Sequence, residues 1–201
     1  TENVVRSCSA ETKLLYISTD QVYGDADDFS EANEVLQPIN QYGKTKLLGE
    51  QKVQDFCSNH LIVRTNIFGW NVKPDRISSA EWIYNSLKDG QKITLFNDYT
   101  FSPIYTKYLG EIIMRLVDMD FTGVINVGSP TPCSKYDFGQ QLAETFGFNQ
   151  SLINRESMKQ HPFSAKRNPK LDLNCTSLVG LKLQIPKWED SIALFAKKKT
   201  Y

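Results

Sequence analysis

The chain has 201 residues, of which 40% are hydrophobic, so it can bury a core as one globular domain or as one domain with a smaller lobe. Lysine plus arginine and aspartate plus glutamate each total 23, and this zero net charge disfavours nucleic acid or an anionic membrane as a partner. No apolar run reaches the ~20 residues that cross a bilayer, and no signal-peptide pattern begins the chain, so we expect a cytoplasmic protein.

Cysteine and histidine are too scattered to predict a metal site. The two histidines, His60 and His161, have no second ligand at metal-binding spacing. No Cys-x-x-Cys pair occurs, which argues against a zinc site or a dithiol redox centre. We therefore expect no bound metal and a reducing compartment. The four cysteines are Cys8, Cys57, Cys133 and Cys175.

The first third of the chain has the pattern of a parallel α/β unit. Residues 1–10 are typical of the end of a helix, and residues 14–18 form an apolar run expected to be a buried strand. A polar, turn-rich stretch covers 24–41. Helical spacing resumes at 44–57, and 61–65 is a second buried strand. This order of strand, loop, helix and strand indicates a right-handed parallel unit.

Further helices and strands alternate along the rest of the chain. The predicted helices are 79–89, stopped by Gly90, one with an apolar face from Leu109 to Val117, one capped by Ser134 and Asp137 and ended by Gly147, and 188–199. The predicted strands are 92–96 and 123–127. Between 149 and 186 the periodicity is weak, and we expect no regular pattern there.

Tyr42 and Lys46 stand four residues apart where a helix is expected to begin, so both can project from one face. A phenol has an ordinary pKa near 10, and a neighbouring ammonium favours the phenolate, which suits acid or base work. A second pair with this spacing, Tyr84 and Lys88, lies inside an amphipathic stretch, where an aromatic residue usually packs. We therefore favour the first pair.

Thr19 follows the predicted strand 14–18, at the end of a parallel strand where ligands bind in open α/β sheets. Its hydroxyl could polarise a substrate carbonyl while Tyr42 donates a proton and Lys46 gives electrostatic support. These three groups together would activate a ketone to accept hydride. On spacing alone, an alternative stays equally open: Thr19 caps a loop and Tyr42 is a surface aromatic residue.

Several motifs together resemble the extended short-chain dehydrogenase/reductase family, and the similar branch is that of the dTDP-4-dehydrorhamnose reductases. The resemblance covers essentially the whole chain. Its motifs are STDQVYG at 18–24, Pro38, YGKTKLLGE at 42–50, RTNIFG at 64–69, SPIY at 102–105, and the segment from Lys166 and Arg167 to Leu173.

The resemblance implies a role for each motif residue. Thr19, Tyr42 and Lys46 would be the catalytic residues, and Tyr42, Lys46 and Thr65 would contact the cofactor, NADP or NAD. The substrate, a nucleotide-activated sugar, would be held by Asp20, Asn66 and Arg167. A homodimer is a possible assembly.

Two departures from the family pattern narrow this expectation. The family's 4,6-dehydratases carry Asp-Glu after the threonine, whereas this chain has Asp20-Gln21, and an amide exchanges no proton near neutral pH. We therefore disfavour dehydration.

The glycine-rich loop that brings backbone N–H groups to a pyrophosphate occurs nowhere in the sequence. We expect a piece of a longer protein, with about three strand–helix units missing before residue 1.

The sequence as a whole predicts a Rossmann-like, doubly wound parallel sheet that lacks its N-terminal part, with a small C-terminal α/β substrate-binding lobe. Residues 1–69 and 100–128 would form the nucleotide-binding part, and 70–99 with 129–201 the lobe. The expected reaction is NAD(P)H-dependent reduction of a 4-keto nucleotide-activated deoxysugar. Two alternatives stay open, a sugar-nucleotide epimerase and a non-catalytic binding subunit that keeps the fold.

Overall fold

A computed structural model describes residues 1–9, 11–26, 28–33, 35–73, 76–161 and 167–197. Seven helices lie in these ranges: α1 (Glu2–Arg6), α2 (Gln41–Phe56), α3 (Ser79–Lys88), α4 (Thr106–Asp118), α5 (Lys135–Phe146), α6 (Thr176–Gly180) and α7 (Trp188–Lys197). The nine strands there are β1 (Leu14–Ile17), β2 (His60–Phe68), β3 (Ile93–Phe96), β4 (Thr100–Phe101), β5 (Pro103–Tyr105), β6 (Gly123–Val127), β7 (Cys133–Ser134), β8 (Ile153–Glu156) and β9 (Lys170–Leu171).

The central sheet is built around β2, and all of its pairings are parallel. β1 lies on one side of β2, with Leu14 opposite His60. On the other side, β6 pairs with the first half of β2 and β5 pairs with the second half, from Asn66 onwards. The predicted α/β fold with a parallel sheet is therefore confirmed. All four strands run the same way, so their carboxyl ends, where ligands bind in such sheets, lie on one side of the molecule.

Two small sheets complete the architecture. β3 and β8 form a parallel pair, and β4 lies between β7, which is antiparallel to it, and β9, which is parallel. α5 packs against β3, β7 and β8, so the second half of the chain has an α/β layer of its own. That layer contributes Tyr99, Lys135 and Arg167 to the region discussed below.

Hydrophobic residues pack on both faces of the central sheet. On one face, Val5 of α1 and Val53 of α2 cover Ile62 of β2. On the other face lies the larger core, which includes the apolar side of α4 at Leu109 and Leu116. Helices thus cover both faces of the central sheet, as expected for a doubly wound sheet.

The predicted helix boundary signals are confirmed. Ser134 accepts a hydrogen bond from the backbone N–H of Asp137 at 3.0 Å, which caps α5. Gly147 ends that helix with a φ of 70°, and Gly90 after α3 has the same value. Glycine adopts this left-handed conformation without the Cβ clash that other residues meet.

The prediction that residues 14–18 form a fully buried strand is wrong. Leu15 in β1 is 41% exposed, because within the described residues β1 has a partner on one edge only. The two-residue strands β4, β7 and β9 were not predicted, since they are too short for periodicity to show. β8 and α6 lie within 149–186, where the sequence has weak periodicity, and β5 was marked only by the family motif SPIY at 102–105. Of the predicted terminal helix, residues beyond 197 lie outside the described residues, as does Lys166.

Candidate functional site

The start of α2 is tied to the loop after β1 by one asparagine. Asn40 caps the helix by accepting from the backbone N–H of Gly43 at 2.8 Å. Its side-chain nitrogen donates to Oε1 of Gln21 at 2.6 Å. One side chain thus both begins the helix and holds that first turn against the segment that follows Thr19. This explains why the helix begins three residues earlier than predicted.

Gly43 lets the two segments come close enough for this contact. A Cβ atom at position 43 would lie 2.5 Å from the backbone oxygen of Gln21, a distance that real Cβ atoms do not show. A glycine is therefore required for α2 to approach the loop so closely. The approach brings Tyr42, the preceding residue, to the same end of the sheet as Thr19.

Thr19, Asp20 and Asn66 form a buried hydrogen-bonded group at the tips of β1 and β2. Thr19 is 5% exposed and Asp20 is 1% exposed. The Thr19 hydroxyl donates to Oδ1 of Asp20 at 3.0 Å, and the Asn66 amide donates to Oδ2. Burial raises the pKa of Asp20 to about 6, although the hydrogen bonds from Asn66 and Thr19 oppose this shift.

Lys46 reaches the same strand end from the second turn of α2. Its ammonium donates to the backbone oxygen of Ile17 at 2.6 Å and lies 4.9 Å from the ring centroid of Tyr16. Partial burial lowers the pKa of Lys46, and Glu50 opposes this effect. A lysine carries three donors, so this ammonium keeps donor capacity for a ligand after binding Ile17.

Tyr42 borders a cavity of about 420 Å³ at this end of the sheet. Its side chain is 53% exposed, which leaves the phenol accessible. Arg167 also borders the cavity, and Asn168 donates from its amide to the backbone oxygen of Gly24 at the cavity wall. The lining includes Gln21, Tyr42, Tyr99, Arg167, Asn168 and Leu171.

Sequence analysis did not indicate Lys135, whose ammonium lies beside Tyr99 at the border of the cavity. Its ammonium stands 3.4 Å from the ring centroid of Phe101 and 5.5 Å from that of Tyr99. Burial lowers the pKa of Lys135 to about 8, and the charge of Asp20 works against this shift. Burial likewise raises the pKa of Tyr99 to about 12. Only the position of Lys135 at the start of a capped helix was visible in the sequence.

The remaining predicted site residues that the structure describes are Thr65, Asn66 and Arg167, and they lie in different surroundings. Thr65 is 4% exposed, and its hydroxyl has no hydrogen-bond partner among the described residues. Such an orphaned donor fits a position that contacts a bound molecule. Asn66 faces Asp20, whereas Arg167 is exposed at the cavity. Lys166 lies outside the described residues, so its place near the cavity stays a prediction.

The competing pair, Tyr84 and Lys88, does not reach a cavity of this kind. Tyr84 is 6% exposed and packs edge-on against Trp70, Phe146 and Phe148. A phenol enclosed by aromatic rings is inaccessible to a substrate. The choice of Tyr42 over Tyr84 therefore agrees with where the structure places the two rings.

A larger cavity than the one at Tyr42 lies elsewhere. A groove of about 620 Å³ between α4 and α7 is bordered by Tyr108, Arg115 and Asp190. None of the predicted site residues lines it. Among the described residues there is no metal-binding cluster, and none of their helices is both long and apolar enough to span a membrane.

Comparison with curated proteins finds several reductases among the relatives. The chain is 29% identical over 188 residues to the probable low-salt glycan biosynthesis reductase Agl14 of Haloferax volcanii, covering 91% of this chain and 62% of that protein. It is 29% identical over 170 residues to the dTDP-4-dehydrorhamnose reductase of Mycolicibacterium smegmatis, covering 82% and 51%.

A relative from another class is also similar. The methionine adenosyltransferase 2 subunit beta of Danio rerio is 22% identical over 187 residues, covering 89% of this chain and 58% of that protein. The chain thus spans less than two thirds of the length of each of these three relatives.

The solved structures agree on the fold. The dTDP-4-dehydrorhamnose reductase of Bacillus anthracis, solved in complex with NADP, has a TM-score of 0.89 at 24% identity and covers 98% of this chain and 70% of that one. The family model described as the RmlD substrate binding domain matches residues 1–201. The predicted relationship to extended short-chain dehydrogenases/reductases is thereby confirmed, and the chain belongs to the RmlD substrate-binding domain family.

Proposed function

We propose that the protein containing this chain reduces the 4-keto group of a nucleotide-activated deoxysugar with NADPH or NADH, in the manner of a dTDP-4-dehydrorhamnose reductase. The observation that carries the proposal is the meeting of three elements at one strand end. Thr19 follows β1, Tyr42 opens α2 beside it, and the Lys46 ammonium binds the backbone of β1. The reductases among the relatives support the same assignment.

Tyr42 is the proposed proton donor. Its phenol is the accessible acid of the cavity, whereas Tyr99 is held neutral by burial and Tyr84 is enclosed. When a ketone becomes an alcohol, its oxygen gains negative charge and must receive a proton. Lys46, one turn further along α2, would place a positive charge near the oxygen that becomes negative during the reaction.

The residues present fit a nicotinamide cofactor. The orphaned hydroxyl of Thr65 and the spare donors of Lys46 are groups that a bound dinucleotide could satisfy. When bound, the cofactor supplies hydride to the keto carbon. The protein residues hold it, shield the reacting atoms from water and place the proton donor. Both NADP and NAD are kept as candidates, since the Bacillus anthracis structure was solved with NADP and a related 4,6-dehydratase with NAD.

We further propose that two parts of the chain bind different molecules. Residues 1–69 and 100–128, which hold the central sheet, would belong to the nucleotide-binding part. Residues 70–99 and 129–201 would form the substrate-binding lobe, from which Arg167 faces the diphosphate of the sugar nucleotide. Asn66 and Asp20, which belong to the nucleotide-binding part, would contact or orient the sugar. A homodimer is compatible with this arrangement.

Substitution of the phenol tests the proposal. We expect Tyr42→Phe in the full chain to lower kcat for oxidation of NADPH with dTDP-4-dehydrorhamnose by about 10²-fold or more, because the proton donor is lost. Binding of NADPH, measured by fluorescence titration, should change little. Tyr84→Phe is the matched control, since it removes the same hydroxyl from a tyrosine outside the cavity, and its turnover should stay near that of the wild type.

Other outcomes would point to the rival functions. Equal turnover by wild type and Tyr42→Phe would contradict the reductase assignment. Interconversion of sugar epimers without net oxidation of NADPH would favour an epimerase. A wild-type protein that binds NADPH but turns over no sugar nucleotide would favour a non-catalytic subunit. The similarity to a methionine adenosyltransferase subunit supports this alternative.

A further inference from the structure

The side-chain amide of Gln21 has its oxygen bound and its nitrogen unused. The oxygen Oε1 accepts from Nδ2 of Asn40 at 2.6 Å. Within the described part of the chain, the nitrogen Nε2 makes no hydrogen bond. Gln21 is partly buried and borders the cavity of about 420 Å³ that Tyr42 also borders. An amide nitrogen carries two protons, so Gln21 brings unused donors to the wall of this cavity.

Asn40 determines which end of the Gln21 amide is left unused. Its own oxygen accepts from the backbone N–H of Gly43 at 2.8 Å and so caps α2. If the Asn40 amide turned over, its NH2 group would meet that N–H group and the helix would lose its cap. The NH2 group of Asn40 therefore faces Gln21, where only an oxygen can accept from it. Oε1 of Gln21 is held in that contact, and Nε2 is left for a ligand.

The backbone of Gln21 is held beside the groups proposed to act on the ketone. Its N–H group donates to the Thr19 hydroxyl at 3.4 Å. Its backbone oxygen lies against α2, where a Cβ at position 43 would approach it to 2.5 Å. Arg167, which we propose for the diphosphate, reaches the cavity from a distant segment of the chain. The place of Gln21 between Thr19 and Tyr42 thus favours the sugar as its partner.

We propose that the side-chain NH2 group of Gln21 donates a hydrogen bond to an oxygen of the substrate's sugar, and that Asn40 is a positioning residue that keeps this group turned toward the ligand. The substrate half of the inference rests on the proposed reductase function. The orientation of Gln21 by Asn40 is a property of the folded chain and stands apart from turnover. Gln21 thereby contributes to specificity, since a sugar without an oxygen at this point would leave the donor unpaired.

Nitrogen-15 spectra test the orientation without any ligand. In the labelled full-length protein, the side-chain NH2 resonances of Gln21, identified by their loss in Gln21→Met, should move in Asn40→Asp. An aspartate keeps the cap on α2 but has only acceptors, so the Gln21 amide should turn and donate to it. The NH2 resonances of Gln54, exposed further along the same helix, should stay in place. Unmoved Gln21 resonances would overturn the role of Asn40.

Steady-state kinetics test the contact with the sugar. Gln21→Met is similar in length but has no donor, and it should raise KM for dTDP-4-dehydrorhamnose about 3- to 10-fold with kcat close to that of the wild type, because one neutral hydrogen bond to the bound substrate is lost. Inhibition by dTDP, which has no sugar, should be unchanged. Gln54→Met is the matched control and should keep the wild-type KM. An unchanged KM in Gln21→Met, or dTDP weakened as much as the substrate, would overturn the contact.

A double variant separates the orientation of the amide from the added charge. Asn40→Asp should raise KM at least as far as Gln21→Met does, because the Gln21 oxygen would then face the sugar oxygen. In the Gln21→Met protein the same change should alter KM by less than about 2-fold, since no amide is left to turn. Equal effects of Asn40→Asp in the two proteins would show that its charge acts directly, and would overturn the positioning role.

The two kinds of measurement keep the two proposals apart. No oxidation of NADPH by the wild-type protein would overturn the proposed function and with it the substrate half of this inference. The nitrogen-15 spectra would then still support or overturn the orientation of Gln21 by Asn40. Thermal unfolding of each variant distinguishes a folding defect from either result.

Discussion

A single ammonium links the catalytic helix to the strand beneath it. Lys46 donates to Ile17 two residues before Thr19, and its charge faces the ring of Tyr16. Burial lowers its pKa, but Glu50 one turn away limits that effect and favours the charged form. Lys46 therefore ties α2 to the strand end that precedes Thr19, and its proposed electrostatic role is toward Tyr42.

Removing this charge should slow turnover. We expect Lys46→Met, which keeps most of the apolar stem, to lower kcat/KM by about 10²-fold or more, because negative charge on the phenol oxygen loses its support. Lys44→Met is the control, since Lys44 is exposed on another face of the same helix. Initial rates of NADPH oxidation measure both. Equal losses in the two variants would contradict a specific role for Lys46.

The sequence predicted Thr19, Tyr42 and Lys46 because a strand end and a helix start are close in the chain and have recognisable patterns. It could not predict what Asp20 contacts. Asn66 lies 46 residues away, so only the folded chain shows that the two side chains meet. For the same reason the sequence suggested a free Thr19 hydroxyl, whereas the structure shows one that already donates.

At the scale of elements, the approach of α2 to the loop after β1 is what makes the site. Gly43 and Asn40 hold the first turn of the helix against Gln21. Further along, a Cβ at Gly49 would lie 2.1 Å from the hydroxyl of Tyr16, so the helix also touches β1 directly. Gly43 and Gly49 therefore set the position of the whole of α2.

Adding one methyl group should disturb this packing. We expect Gly43→Ala to lower both the melting temperature and kcat, because its Cβ would collide with the Gln21 backbone and push Tyr42 away from Thr19. Gly110→Ala in α4 is the control, since nothing lies within 4 Å of its added Cβ. There alanine should be neutral or stabilise by about 0.5–1 kcal/mol. Thermal unfolding and turnover of both variants measure the difference.

The elements were predictable in proportion to their length and local signals. α3 and α5 have capping residues and α4 has an apolar stripe, so their patterns indicated them. β4, β7 and β9 have two residues each, which is too short for an alternation to be visible. Their pairing depends on segments distant in the chain.

Across the whole molecule, a buried polar network joins the catalytic half to the rest. Arg64 in β2 binds Glu50 of α2 through two nitrogens, at 2.7 Å from Nη2, and donates to the hydroxyl of Tyr23 at 3.0 Å. Tyr23 donates to Asn126 in β6, whose amide binds the backbone oxygens of Phe29 and of Asn174. The network satisfies polar groups that the closed core would otherwise leave without partners.

Breaking the network at its ion pair should destabilise the fold. Arg64 and Glu50 have side chains 5% and 1% exposed. We expect Arg64→Met to lower the free energy of unfolding by ~3–5 kcal/mol, because the Glu50 carboxylate would stay buried without its partner. The double variant Arg64→Met/Glu50→Leu should recover much of this loss, since no buried charge is left. Urea unfolding measures both, and an equal loss in the two variants would contradict the argument.

The contact between Asn40 and Gln21 has a consequence for how reactions diverge on this scaffold. Asn40 uses only the side-chain oxygen of Gln21. A glutamate would present the same oxygen, so exchanging one nitrogen for oxygen would create an acidic pair like that of the related water-eliminating enzymes without releasing the helix. At this position the proposed reductase and such an enzyme would differ by one atom of one side chain, and the contact with Asn40 would not require the backbone to move.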